Sequence, residues 1–289
     1  MAKKRKITAE DLYKMELITH CELSPDGQYV VYAVQRAVKK GEKKYQNLWV
    51  ASTDGGNPRQ FTYGDQVDSQ PRWSPDSKHI AFLSDRADEK QPQICLLPVD
   101  GGEARPLTEM KGKFGDIKWS PDGRQLLVHL TKKDKEVLER EDDEEKKKLG
   151  VVSRHITRTY YKYDGVGYLP KERPHLWLVN ARSGKARQLT DHDKFAEADG
   201  NWSPDNKSIV FRSNRSPDPD HTPEAMALYV IPAAGGEMRK LNAPDGSKLL
   251  PAYSPDGKWV AYFGVEGREW YRTAGYGSHL QTEQEKHVI

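Results

Sequence analysis

The segment KWSPDGRQLLVHL, residues 118–130, places Ser120, Asp122 and His129 within ten positions. A hydroxyl, a carboxylate and an imidazole are the parts of a nucleophilic hydrolase centre. There the imidazole takes the hydroxyl proton and the carboxylate orients the imidazole. That chemistry also needs the serine raised on a sharp strand-to-helix elbow, Gly-x-Ser-x-Gly. The nearest string, Gly275-Tyr276-Gly277-Ser278-His279, lacks the second glycine, and no alternating strand–helix pattern surrounds it. The Ser-Pro-Asp core recurs in ELSPDGQYVVYAV (22–34), RWSPDSKHIAFLS (72–84), NWSPDNKSIVFRS (201–213) and AYSPDGKWVAYFG (252–264). No other copy keeps a histidine at the place of His129. A motif repeated without its base is expected to carry shape, and its aspartates to stabilise turns.

Other chemistries find little support. Asp191-His192-Asp193 and Asp218-Pro219-Asp220-His221 are the dense His/Asp groups, but neither has a recognisable metal-ligand spacing. Both are expected to be solvated loops. There is no phosphate-cradling glycine loop and no paired-cysteine zinc motif. No catalytic residue, metal or cofactor is therefore expected on this chain.

The elements behind the motif come from its period. Ser24, Ser74, Ser120, Ser203 and Ser254 are spaced by 50, 46, 83 and 51 residues. Apart from one long gap, this is the period of a propeller blade. In Ser-Pro-Asp-Gly, proline presets φ for the second turn position and glycine accepts the positive φ that follows, which makes a hairpin connection. Each unit has a second half: LWVASTDGGNPRQFT (48–62), ICLLPVDGGEARPLT (94–108), LWLVNARSGKARQLT (176–190) and LYVIPAAGGEMRKLN (228–242). The expected fold is an all-β propeller of four-stranded blades, with four full units and a partial fifth in an incomplete ring. The residues before each motif, Leu23, Trp73, Trp119, Trp202 and Tyr253, recur in register and are expected to pack between blades.

Three segments stand apart. Thr8-Ala9-Glu10-Asp11-Leu12 resembles a capped helix start, so a short helix is expected over roughly 8–16. TKKDKEVLEREDDEEKKKLG, residues 131–150, is rich in helix formers, with Asp142–Lys146, Asp143–Lys147 and Glu144–Lys148 four apart. It is expected to form a solvated helix inserted in a blade loop. RHITRTYYKYDGVGYLPKERPH, residues 154–175, interleaves basic and aromatic residues, a pattern that can bind single-stranded nucleic acid. The chain has 46 basic against 43 acidic residues, so no nucleic-acid partner is expected. The resulting domain reading is an N-terminal segment at 1–17, a propeller at 18–272 and a non-propeller tail at 273–289. Two cysteines, Cys21 and Cys95, argue against a disulfide framework. With no secretory signal and no membrane-length apolar run, a cytoplasmic protein without membrane contact is expected. Lys3-Lys4-Arg5-Lys6 reads as a solvated, frayed terminus.

The paired signature, WSPDG followed by LW-V and GG-x-x-RQLT, resembles the TolB-like propeller repeat. Within that group the chain is similar to the N-terminal propeller of prolyl oligopeptidase-family serine peptidases, in the acylaminoacyl-peptidase and dipeptidyl-aminopeptidase-like branch. ITAEDLYKMELITHCELSPDGQYVVYAVQ, the charged insertion with YYKYDGVGYLPKERPHLWLVN, and EGREWYR at 266–272 carry this likeness. The resemblance implies a lid that admits short peptides to a Ser-Asp-His triad on a separate α/β-hydrolase domain. No position here matches the triad motifs. A free-standing TolB-like propeller that binds a protein or peptide is the alternative. Family propellers sometimes hold the peptide N-terminus through charged residues; Glu266, Arg268 and Glu269 are candidates by position. After Arg272 the LWV–GG–LT half is missing, and TAGYGSHLQTEQEKHVI has no strand pattern, as in a truncation or frameshift. Open blade edges imply marginal stability, self-association or a distorted smaller ring.

Overall fold

The computed structural model describes residues 5–89, 91–149 and 154–264, and the backbone of 281–282. Glu266, Arg268, Glu269 and the Gly275–His279 string lie outside the described residues. The chain divides into two compact units. The first is Met1–Met110 with Ala181–Gly184; the second is Lys111–Asn180 with Lys185–Ile289.

The first unit holds two four-stranded antiparallel blades. Blade 1 is β1 (Glu16–Leu23), β2 (Tyr29–Val38), β3 (Lys43–Ser52) and β4 (Arg59–Gln60). Blade 2 is β5 (Asp68–Trp73), β6 (His79–Ser84), β7 (Gln93–Pro98) and β8 (Arg105–Pro106). The second unit begins with blade 3: β9 (Gly112–Trp119), β10 (Gln125–Lys132), then an insertion, then β13 (Pro174–Asn180) and β14 (Ala186–Gln188). The insertion holds α1 (Lys135–Glu141), α2 (Glu144–Lys148) and a hairpin of β11 (Lys162–Tyr163) and β12 (Gly167–Tyr168). Blade 4 is β15 (Glu197–Trp202), β16 (Ser208–Asn214), β17 (Met226–Pro232) and β18 (Arg239–Lys240). Blade 5 is β19 (Lys248–Tyr253), β20 (Trp259–Gly264) and β21 (Gln281–Thr282). This is the all-β propeller architecture that the repeat predicts.

Every Ser-Pro-Asp turn closes in the same way. The serine hydroxyl donates to the aspartate two residues on, at 2.5–2.7 Å in all five copies. That carboxylate accepts the N–H two further on, and the serine oxygen accepts the N–H that starts the second strand, as in Tyr29 and Gln125. The serine bond holds the carboxyls of Asp26, Asp76, Asp205 and Asp256 below the usual range. At Asp122 partial burial opposes this, but the Ser120 and Arg124 bonds prevail. Glycine is replaced at the fourth turn position in blades 2 and 4, where Ser77 and Asn206 accept φ of 58° and 63°. Both side chains reach the preceding blade: Asp26 N–H donates to Ser77 Oγ and Asp122 N–H to Asn206 Oδ1.

Between blades the core is apolar. Val31, Ala33, Leu48 and Val50 of blade 1 meet Trp73, Ile80, Phe82, Cys95 and Leu97 of blade 2. Leu127, Leu176 and Leu178 of blade 3 meet Trp202, Ile209, Phe211 and Ile231 of blade 4. The tryptophans also bond backward, Trp73 Nε1–H to the Glu22 carbonyl and Trp202 Nε1–H to the Lys118 carbonyl. Leu23 departs from the predicted packing and is exposed. No blade precedes it among the described residues, so nothing receives its side chain.

Four further expectations are corrected. The insertion is two short helices rather than one, and residues 131–132 extend β10. The helix is interrupted at Asp142–Asp143, so the predicted pairs four apart do not form; Lys146–Asp143 and Lys147–Glu144 pair three apart instead. Gln281–Thr282 pairs with β20 although the tail carries no strand pattern. An open strand edge can pair with any extended backbone, whatever its side chains. Arg5 is not free in solvent, since its guanidinium grips the Asp11 carboxylate. Around this anchor Ala9–Lys14 forms a 3₁₀ turn, with Thr8 N–H donating to Asp11.

His129 is buried on β10, where its Nε2 accepts the Gly200 N–H at 3.0 Å. Gly200 lies in a β-bulge of β15, between Ala198 and Asn201, so its N–H has left the strand ladder. Imidazole supplies the missing acceptor. A Cβ at Gly200 would stand 2.8 Å from Nε2, so glycine and histidine are mutually required.

Two outcomes follow. Ser203→Ala removes both its bonds and leaves the Ser208 N–H without its acceptor, at a cost of roughly 1–2 kcal/mol in urea unfolding with unchanged slope. Burial pulls the His129 pKa down to about 4, with Lys118 adding to it and Asp116, Asp199 and Glu197 opposing. The unfolded chain therefore binds this proton first. Stability is complete above pH ~6.5 and declines towards pH 4 by on the order of 3 kcal/mol. The slope is expected to flatten in His129→Gln, and equal slopes in the two proteins would refute the assignment.

Candidate functional site

The serine, aspartate and histidine that share the 118–130 segment do not share a site. Ser120 and Asp122 bond each other at one end of the β9–β10 hairpin, while His129 holds the Gly200 amide. Cys95 is no better nucleophile, since burial pushes its thiol up to about 11. Among the described residues no three His, Cys, Asp or Glu side chains could hold a metal ion.

Polar chemistry collects instead at the blade ends where first strands begin and second strands finish. In blade 2 Asp68, the first residue of β5, receives Arg86 Nη2 on both oxygens at 3.0 and 3.1 Å and Gln66 Nε2 at 3.1 Å. In blade 4 Glu197, the first residue of β15, receives Arg215, His175 Nδ1–H at 2.7 Å and Thr190 Oγ1–H at 2.8 Å. The carboxylate stands five residues before the motif tryptophan and the arginine twelve after the motif serine, in both blades. The Leu-Thr ends also have a local function. Thr62, Thr108 and Thr190 each accept an N–H from within their third strand, that of Leu48, Ile94 and Leu176, at 2.9–3.0 Å. These buried carboxylates are fully engaged, so they clasp the blades rather than transfer protons.

The insertion of blade 3 forms a cleft of about 490 Å³ between α1 and the β11–β12 hairpin. Asp134 ties the helix start to the hairpin's far end, accepting the Lys171 and Glu172 N–H groups. Tyr160, Tyr161 and Tyr168 line the cleft, with the Arg154 guanidinium 4.3 Å from the Tyr168 ring centroid. Exposed tyrosines beside a cation can stack on and hydrogen-bond an extended chain. Arg158 Nε and Nη2 reach the two Asp220 carboxylate oxygens at 3.4 Å, and the Thr159 hydroxyl bonds His221 Nε2 at 3.0 Å. His221 Nδ1–H donates to Asp218. The 218–221 group, expected as a solvated loop, therefore fastens the insertion to blade 4. Its partners lie about sixty residues away in the chain, beyond any local pattern. The 191–193 group behaves as expected: His192 is exposed and bonds only locally and to His175.

First-strand bulges are a second feature that sequence reasoning missed. Gln70, Asp199 and Leu250, each three residues before the motif aromatic, have φ of 51–55°. Asp199 uses this turn to reach Arg212 at 2.5 Å and the Leu250 N–H of blade 5 at 3.0 Å. A polar residue at this place marks two of the three, Gln70 and Asp199, but not Leu250.

Among the described residues no helix is long and apolar enough to cross a membrane. A family model described as TolB beta propeller domain matches residues 13–157. The chain is 30% identical over 228 residues to a Bacillus subtilis protein named Uncharacterized peptidase YuxL, covering 79% of this chain and 34% of that protein. It is 26% identical over 286 residues to Dipeptidyl-peptidase 5 of Porphyromonas gingivalis, covering 92% and 40%. Among solved structures, Pyrococcus horikoshii acylaminoacyl peptidase aligns with a TM-score of 0.68 at 19% identity, over 94% of this chain and 39% of that one. The β-propeller domain of the Trilobed protease from Pyrococcus furiosus aligns with a TM-score of 0.61 at 16% identity, over 95% and 71%. The chain thus spans 34–40% of these curated relatives' length and corresponds to the propeller portion of peptidase-like proteins. With the blades, the turns and the family match in agreement, the chain belongs to the TolB β-propeller domain family.

Proposed function

We propose that this chain is the substrate-gating, non-catalytic propeller of a serine exo- or oligopeptidase that acts on short peptides. The carrying observation is the coverage of its relatives. Proteins named as peptidases match the chain along most of its length, yet it spans only 34% and 40% of them. The absence of a Gly-x-Ser-x-Gly elbow from the sequence supports placing the triad elsewhere. In this reading peptides pass the blades to a separate α/β-hydrolase domain, and the tyrosine-lined cleft of blade 3 gives them a first contact. Cys21 and Cys95 are both free, which suits a reducing compartment such as the cytoplasm.

The test has two parts. The isolated chain is expected to leave dipeptidyl and acyl-aminoacyl chromogenic peptides unhydrolysed and to take up no fluorophosphonate label. A chimera with this chain in place of the matched region of the Bacillus subtilis peptidase is expected to cleave short peptides and spare folded proteins. Hydrolase domain without a propeller should lose that size discrimination. Turnover by the isolated chain, or discrimination that persists with no propeller attached, would contradict the reading.

A further inference from the structure

Blade 5 reverses one charge of the clasp found in blades 2 and 4. At the position of Asp68 and Glu197, the first residue of the first strand, it carries Lys248. The residue is only 5% exposed. Lysine is almost never buried so far unless it is paired. Its ammonium has three donors. Among the described residues it makes one hydrogen bond, to the Gly246 carbonyl at 2.7 Å, and no ion pair. Burial holds its pKa below the lysine range and Lys240 adds to this, while the Asp245 carboxylate opposes it from beyond pairing distance. A cavity of about 250 Å³ adjoins the residue, lined also by Thr222, Glu224, Lys240 and Asp245.

A buried ammonium with donors to spare is costly unless an acceptor, best an anion, completes it. We propose that this cavity is a carboxylate-binding site, in which Lys248 holds the free C-terminal carboxylate of a peptide. Lys248 and Lys240 attract an anion, while Glu224 and Asp245 balance their charge and so disfavour a dianion such as phosphate. The peptide as occupant rests on the function proposed above. The chain itself supplies the rival. Twelve residues after Ser254, where Arg86 and Arg215 follow their own motif serines, stands Glu266, outside the described residues.

The experiment is calorimetric titration of the full chain with N-acetyl-Gly-Gly as free acid, the same compound as amide, and N-acetylglutamic acid α,γ-diamide's monoacid counterpart, N-acetylglutamate α-amide. The free acid is expected to bind at least tenfold tighter than the amide. Lys248→Met should abolish that contrast and Lys248→Arg should keep part of it. N-acetylglutamate α-amide reads a side-chain carboxylate, and binding equal to the free acid would overturn the C-terminal assignment. Should Lys248→Met fail to fold, protection in the native chain decides: the free acid, and not the amide, should slow reductive methylation of Lys248 at least fivefold by mass spectrometry. Equal binding of acid and amide, no binding of either, or acid binding that emerges only in Glu266→Gln would overturn the proposal. The last result would assign the ammonium to the chain's own carboxylate. Binding is read without turnover, so its failure leaves the peptidase reading standing.

Discussion

The hydrogen bond from serine hydroxyl to aspartate carboxylate, made once in each of five turns, is the interaction on which the blades depend. It fixes the hairpin between first and second strands. Strand side chains alternate between faces, so a hairpin that slipped by one residue would turn each apolar set away from its neighbour. With the turn fixed, Ile80 and Phe82, or Ile209 and Phe211, face an adjoining blade. The same bond consumes the serine proton and keeps the aspartate ionised. The motif's reactive-looking groups are thus spent on geometry.

Packing of blade on blade then creates a second requirement. The central strands are apolar on both faces, so polar groups of the bulges and blade ends must find partners across the interface. His129 serves the Gly200 amide, Asp199 serves Leu250, and Asn206 serves Asp122. Glu197 gathers an arginine, a histidine and a threonine at one buried point. These contacts tie blades 3, 4 and 5 to one another with a directionality that apolar area lacks. Two features interrupt the pattern: the aromatic insertion of blade 3 and the inverted charge of Lys248.

The difference between blades also bears on how the repeat is read. Blades 2 and 4 share a side chain at the fourth turn position, a backward-bonding tryptophan and a carboxylate–arginine clasp. Blades 1, 3 and 5 have glycine at that turn position. Replacement of glycine looks like drift when the five motifs are aligned. In the folded chain it is a cross-blade contact made by a non-glycine residue at positive φ.

The sequence by itself determined the blade. Its period, turn chemistry and apolar runs are local, each acting within one hairpin, and local forces are legible in a linear string. It also pointed to a turn role for Ser120 and Asp122, because four copies of the motif lack the histidine. Tertiary structure decided what His129 does, why Gly200 must be glycine, which carboxylates find arginines, and that Asp218–His221, while still exposed at both ends, anchors an insertion. It also split the insertion helix and left Leu23 bare. The His129–Gly200 and Asp218–His221 contacts join residues 62 to 71 positions apart and Leu23 turns on the presence of a neighbouring blade, whereas each carboxylate–arginine clasp spans 18 positions within one blade. The free energy of a buried polar group depends on that neighbour, and no spacing within the chain records it.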